Sequence, residues 1–477
     1  GPMAEFDIVF VGSGFASSFF LRKRLQLAPA DARFLVLERG PLVQHPDQIA
    51  DRRHSPVDMA GTYRVALPDG AQTNKVWQFN IGFGGSSNCW WAGTPRMLPS
   101  DFEMRTRYGV GRDWPLRYHD LAPHYGEVEQ VMGIAGSEAT PFPDRPPYPL
   151  PGHRMTEPDR ALQAAYPDQY FNQPTARASR PTATRNQCCG NGVCHLCPVD
   201  AKFTILNGMR DVYDDPRVTL MLESPALAVD VEAGTATGVI YERDGRRHRA
   251  SADAVVLGAN AIFNPYLLLR SGLAEGPVGR RLHEQGSIRA HVYLDGMSGF
   301  SGSSSVTGQG YMLYDGEHRR EAGAALMEGW NVPRFRLDPG RWTERTEFYV
   351  IVEDLPRDSD TVTVDPEDET RPLVTYAGHT DYFFRGVERV KDKLADVLAP
   401  LPVERIEFTE PNASEAHNQG TTVMGDDRAT SVVDRDLVHH KVRNLYVLGN
   451  SVFPTGAPAN PTLTNTALAS RAAEVMG

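Results

Sequence analysis

The sequence predicts an α/β protein: a mostly parallel sheet assembled from separated segments, with an antiparallel-sheet domain of α+β type inserted into it. Three observations predict this. The segment FDIVFVGSGFASSFFLRKRL (6–25) is an apolar, β-branched run, then a glycine turn, then a helix-period stretch. Comparable buried-strand runs recur far along the chain, at 34–40, 252–257 and 445–451, as a parallel sheet with both faces covered requires. Between them, 288–296, 346–353 and 361–365 alternate apolar and polar residues, the pattern of antiparallel strands with one wet face.

Each element follows in order. Gly12-Ser13-Gly14 separates the first strand from the first helix. It permits a tight turn and close backbone approach of an anion to a helix N-terminus, where free N–H groups favour negative charge. Ser17 stands where a third glycine is usual and is still small. Glu38 ends the second strand, where a carboxylate accepts hydrogen bonds from ribose hydroxyls. Together these make a Rossmann-like βαβ unit for a dinucleotide, without distinguishing NAD from FAD. Residues 46–74 turn polar and proline-dotted and are expected to form an excursion or lid; 136–186, rich in Pro, Arg and Thr, is a second surface excursion. Residues 252–272 form another strand, turn and helix, and 460–476 a terminal helix. The expected dinucleotide domain comprises 1–45, 75–100, 180–287 and 408–477; 101–179 and 288–407 form the substrate domain.

Bulk properties narrow the class. A chain of 477 residues exceeds what one core accommodates, so two domains are expected. No apolar run is long enough to span a bilayer. A net charge of −11 argues against a nucleic-acid partner; an acidic surface would suit a cationic substrate, but more often it serves solubility. Gly1-Pro2 reads as a protease scar before Met3, and a strand beginning at Phe6 leaves no room for a signal peptide. The expected location is therefore cytoplasmic, where structural disulfides are disfavoured.

Four of the five cysteines fall within QCCGNGVCHLCPVDAK (187–202), spaced C-C-x4-C-x2-C with a proline after the last. Zinc suits this poorly, because adjacent cysteines rarely both reach one tetrahedral ion. Iron–sulfur ligation suits thiolates at short intervals followed by proline. Reduced thiols or a disulfide remain the third reading.

Four separated blocks carry a resemblance: NIGFGGSSNCWWAGTPRM (80–97), GANAIFNPYLLLRSG (258–272), HNQGTTVMG (417–425) and VRNLYVLGNSVFPTGAPANPTLTNTALASRAAE (442–474). In this order they resemble the glucose–methanol–choline (GMC) flavoprotein oxidoreductases, from residue 6 to the C-terminus and weakest over 101–180 and 300–400. The resemblance implies FAD bound in extended form by Gly12, Gly14, Phe15, Ala16, Glu38, Arg39, Gly84, Gly85, Ser86, Asn88, Cys89, Ala92, Leu227, Ala259, Gly449, Asn450, Asn460 and Thr462. It further implies oxidation of a CH–OH group, with hydride passing to flavin N5 while a base takes the hydroxyl proton. His417 matches the family's catalytic histidine and Asn460 its partner. His283 is expected in a loop and the pair His439-His440 in an exposed turn.

Cys89 lies where some members bond the flavin covalently; a thioether and an unreactive packed thiol are both open. Trp90 and Trp91 are expected to pack. The cysteine run is similar to the cluster loop of bacterial sugar dehydrogenase subunits, implying iron–sulfur ligands Cys188, Cys194 and Cys197, although two residues rather than three separate the last pair. The implied substrate is a carbohydrate-like alcohol, with Trp330, Trp342, Tyr349 and Phe383 as stacking candidates; the electron acceptor is dioxygen or a redox partner. Sterol or aliphatic alcohol oxidation, lyase or isomerase chemistry, and a decayed flavin-binding protein are the rivals.

Overall fold

In the computed structural model, residues 3–51, 61–67 and 75–477 are described; Gly1-Pro2 and positions 52–60 and 68–74 of the expected lid lie outside them. Strand Phe6–Val11 pairs in parallel with Phe34–Leu37 on one side and with the end of Arg246–Leu257 on the other. Val218–Met221 and Leu445–Val447 extend the parallel array at its two edges. Helices Phe15–Leu27 and Thr462–Val475 pack together, and Tyr118–Met132 packs on the latter. Strands Phe6–Val11, Phe34–Leu37 and Leu445–Val447 are buried along nearly their whole length, which is why they read as nearly unbroken apolar runs.

Strand Arg246–Leu257 serves two environments. Its first half pairs antiparallel with Thr235–Arg243, which pairs in turn with Ala226–Glu232. The polar start RRHR is mostly exposed and hid this hairpin from a reading that began the strand at 252. Residues Phe102, Trp114, Tyr118, Tyr125 and Val128, expected with the substrate domain, belong to the core beside the parallel sheet.

The second sheet has six strands, in the order Val403–Phe408, Gly286–Leu294, Arg345–Val352, Ala325–Trp330, Val306–Gly310 and Tyr170–Asn172, all antiparallel. Helix Asp381–Val397 covers one face. Its Phe383, Val387, Val390 and Leu394 recur at helical spacing and meet Ile288, Ala290, Val292, Phe348 and Val350. By the period-two alternation of strands, the intervening Arg289, Tyr349 and Glu328 point the other way. The register sets Arg289 opposite Tyr349, and Tyr349 opposite Glu328. Strand Thr361–Val364 lies outside this sheet: it pairs with Pro372–Thr375, which pairs with Arg64–Ala66 in a separate three-stranded sheet.

Candidate active site

A cavity of about 1260 Å³ lies between the parallel sheet and the six-stranded sheet. On the parallel side it is lined by Gly12, Gly14, Phe15, Ala16, Glu38, Arg39, Leu227 and Ala259. Gly85, Ser86, Cys89, Ala92, Gly449, Asn450 and Thr462 continue the wall, and His417 and Asn460 line the same space. Two residues expected in this wall, Gly84 and Asn88, stand behind it. The Gly84 N–H donates to Ser13 Oγ at 3.1 Å, and Asn88 Nδ2 donates to the carbonyls of Phe83 and Gly85 at 2.8 and 3.1 Å.

The glycine turn is required by space as well as by conformation. Gly12 has φ +95°, and a Cβ there would sit 2.7 Å from the Gly258 carbonyl oxygen. Gly258 in turn makes room for Ser17, whose Oγ would overlap a Cβ at 1.9 Å. The spacing role of the missing third glycine has moved across the sheet. Helix Phe15–Leu27 has no side-chain cap and no acidic residue in its first turn, so its leading N–H groups are available to an anion. Glu38 is buried; its oxygens accept from Ser13 Oγ at 2.6 Å and the Gly40 N–H at 2.7 Å, leaving lone pairs for a ligand hydroxyl. Burial raises its pKa above the ordinary carboxylate range.

On the antiparallel side, Trp330 stacks on Tyr349 with ring centres 3.8 Å apart, and Trp91 tilts against Trp330 at 4.9 Å. Arg289 lies over the Tyr349 ring at 4.3 Å. Trp90 and Trp91 both line the cavity; the Trp90 ring also packs edge-on against Phe15, its indole N–H donating to the Phe203 carbonyl at 2.8 Å. Trp342 is exposed and Phe383 is core, so neither serves this wall. Two carboxylates that sequence reasoning missed, Glu328 and Glu415, also line it. Burial first, and the negative charge of Glu415 second, push Glu328 up to about 7. Burial pushes Glu415 to the same value, with Glu284 adding to the effect. Gln173 donates to Glu328 at 3.1 Å and accepts from the fully buried Arg177 at 3.0 Å.

The loop carrying His417 is fastened from behind. Glu284 Oε1 accepts from the backbone N–H groups of Glu415 and His417 at 2.6 and 3.4 Å, while its other oxygen forms a buried ion pair with Lys75. His417 Nδ1 lies 2.6 Å from Gln285 Oε1. Burial pushes the ring down to about 4, with Glu284 opposing. Asn460 Oδ1 is buried without a partner, as is Asn418 Oδ1; Gly93 leaves room for Asn460, since a Cβ there would come within 3.2 Å of its Oδ1. A glycine cradle, an uncapped helix end and orphaned amide oxygens on one long cavity suit a dinucleotide lying beside a small polar substrate.

Two GMC oxidoreductase family models match, over residues 171–286 and 361–469. The chain belongs to the GMC oxidoreductases. It is an oxidoreductase acting on CH–OH donors, in a family that binds FAD. This GMC oxidoreductase is 27% identical to the fructose dehydrogenase large subunit of Gluconobacter japonicus, over 98% of this chain and 97% of that one. It is 26% identical to paromamine 6'-oxidase of Streptomyces fradiae, over 98% and 91%. An FAD-dependent oxidoreductase from Chaetomium thermophilum shares the fold with a TM-score of 0.68, at 14% identity and 99% coverage of both chains.

In this GMC oxidoreductase the cysteine loop borders a second, very small void. None of the five cysteines is in a disulfide. Cys194 Sγ lies 2.8 Å from Ser305 Oγ, Cys188 Sγ lies 3.5 Å from Ser304 Oγ, and Cys197 Sγ accepts from the Ala201 N–H at 3.3 Å. Among the described residues no group of three or more His, Cys, Asp or Glu is placed to hold a metal ion, so the iron–sulfur expectation gains no support. Lys202, buried and lowered to about 8 by burial, donates to the carbonyls of Asn88, Trp90 and Cys194 at 3.0, 2.8 and 2.6 Å. It fastens the loop to the turn bearing Cys89.

The remaining histidines divide. His439 is buried rather than exposed, its Nδ1 accepting from the N–H groups of Lys441 and Val442. His283 is buried as well and bridges to Gln419 beside the His417 loop. Among the described residues no helix is long and apolar enough to cross a membrane.

Proposed function

We propose that this enzyme oxidises a CH–OH group of a carbohydrate-like alcohol (a sugar, glycoside or amino sugar) to the carbonyl, with His417 as the base and Asn460 as its orienting partner. One observation carries the reading: the His417 ring and the unpartnered Asn460 amide oxygen open on the same cavity as the glycine cradle. Gly12, Gly14, Phe15, Ala16, Glu38, Arg39, Leu227 and Ala259 would hold the adenosine and pyrophosphate side of FAD; Gly85, Ser86, Cys89, Ala92, Gly449, Asn450 and Thr462 would hold the rest. FAD supplies the two-electron acceptor for the hydride.

Held neutral by burial, His417 accepts the hydroxyl proton without first losing one of its own. Asn460, which carries no charge, hydrogen-bonds the developing alkoxide without competing for that proton. Glu328, Gln173 and Arg289 offer both donors and acceptors, and Trp330 with Tyr349 offers an aromatic face, a combination suited to a polyol ring. The names of the fructose and paromamine relatives support the same class.

The test is anaerobic bleaching of the flavin by sugars, glycosides, amino sugars, aliphatic diols and sterols. Rapid bleaching by a carbohydrate is expected. Bleaching only by a diol or sterol would overturn the substrate class, and none by any alcohol would overturn the activity. His417→Ala should retain FAD yet reduce it about 10³-fold more slowly; an unchanged rate would remove His417 from the mechanism. Reoxidation by dioxygen, or only by an added quinone, separates oxidase from dehydrogenase. Cys89 Sγ, facing the Ser86 carbonyl at 3.6 Å, is assigned as a packed thiol, so acid precipitation should release the flavin.

A further inference from the structure

We propose that Gln285 is the positioning residue that sets the tautomer of His417, accepting its Nδ1–H and leaving Nε2 as the basic nitrogen. The inference rests on the reading of His417 as the base. It is carried by the two ends of one buried amide. Gln285 Nε2 lies 2.7 Å from the Ala459 carbonyl oxygen and also meets that of Ala457. Two carbonyl oxygens can be satisfied only by the NH₂ group, because the reverse orientation would press oxygen against oxygen at both contacts. The amide oxygen therefore faces His417 Nδ1 at 2.6 Å, and a ring nitrogen opposite an obligate acceptor must carry the hydrogen. A neutral imidazole holds one such hydrogen, so Nε2 keeps its lone pair.

The support for this amide is itself rigid. Gln285 is 1% exposed and precedes Gly286, where strand Gly286–Leu294 of the six-stranded sheet begins. A Cβ on Gly286 would meet the Phe383 ring at 2.4 Å, so the strand is drawn tight against its covering helix. Ala457 and Ala459 lead directly into Asn460. One side chain therefore ties the proposed base to the segment bearing its partner.

The choice of an amide has a chemical consequence. A carboxylate at this position would stabilise the imidazolium, as the aspartate of a Ser-His-Asp triad does; an amide orients the ring without adding charge. The charged groups that act on the ring are Glu284 and Lys75, already paired with each other. The lowering of His417 to about 4 agrees with a ring oriented but not electrostatically charged.

The test is ¹⁵N NMR of histidine-labelled, FAD-loaded protein, with His417 assigned by the signals lost in His417→Asn. At neutral pH the wild-type ring should show protonated Nδ1 and bare Nε2. Gln285→Leu should lose that preference and reduce flavin about 10²-fold more slowly, with FAD content and KM little changed. An Nε2–H tautomer in the wild type, or an unchanged tautomer in Gln285→Leu, would overturn the inference. If the variant does not fold, the wild-type spectrum decides alone. Should the tautomer be as inferred while His417→Ala still reduces flavin normally, the base assignment falls and the Gln285 contact stands.

Discussion

The two walls of the cavity are built by different means. On the parallel side the working groups are backbone: a left-handed glycine, a second glycine turn against it, and an uncapped helix end. On the antiparallel side they are side chains set abreast by strand register, with Arg289, Tyr349 and Glu328 on three neighbouring strands. A backbone site tolerates almost no added atom and recognises a constant ligand part. A side-chain site can be re-specified residue by residue while the sheet beneath it stays the same.

Gly12→Ala should break the comparison most severely. The new methyl would meet a fixed carbonyl in a strained conformation, costing about 3 kcal/mol and abolishing flavin absorbance in whatever protein folds. Substitution on the other wall should be milder and conditional on pH. Glu328, raised to about 7, binds its proton more tightly in the folded than in the unfolded chain. Stability therefore falls as pH rises from the ordinary carboxylate range through 7, by up to about 1.4 kcal/mol per unit. Glu328→Gln should flatten that slope in denaturant titrations while leaving FAD bound; an unaltered slope would refute it.

His417 has the opposite sign, because its folded pKa is depressed to about 4. Its neutral form persists well below the usual histidine range, so the acid limb of flavin reduction should fall near pH 4 rather than near 6.5. A limb near 6.5 would show the ring to be more solvated than its burial implies. The smallest effect is expected at Gly93→Ala, whose methyl approaches Asn460 Oδ1. Displacement of that amide by a few tenths of an ångström should slow flavin reduction by less than about tenfold, with FAD content unchanged.

Legibility in the sequence followed the same division. The glycine turn, Glu38, His417 and Asn460 stand in short motifs whose chemistry is complete within a few residues. Gln285 stands in none: its meaning comes from His417 on one side and the Ala457–Ala459 carbonyls on the other. The pair His439-His440 reads as an exposed turn, yet the His439 ring caps two backbone N–H groups from a buried position. The hairpin built on Arg246–Ser251 was hidden by charges that face solvent.

What the sequence by itself determined is the dinucleotide half of the enzyme, because a glycine's backbone freedom and a helix N-terminus are properties of consecutive residues. Only the tertiary structure decided which side chains gather around the cavity, since strand pairing and the burial of Glu328, Glu415 and Gln285 arise between segments far apart in the chain. Local geometry is set by neighbours along the backbone; the electrostatics of a cavity is set by whatever folding brings around it.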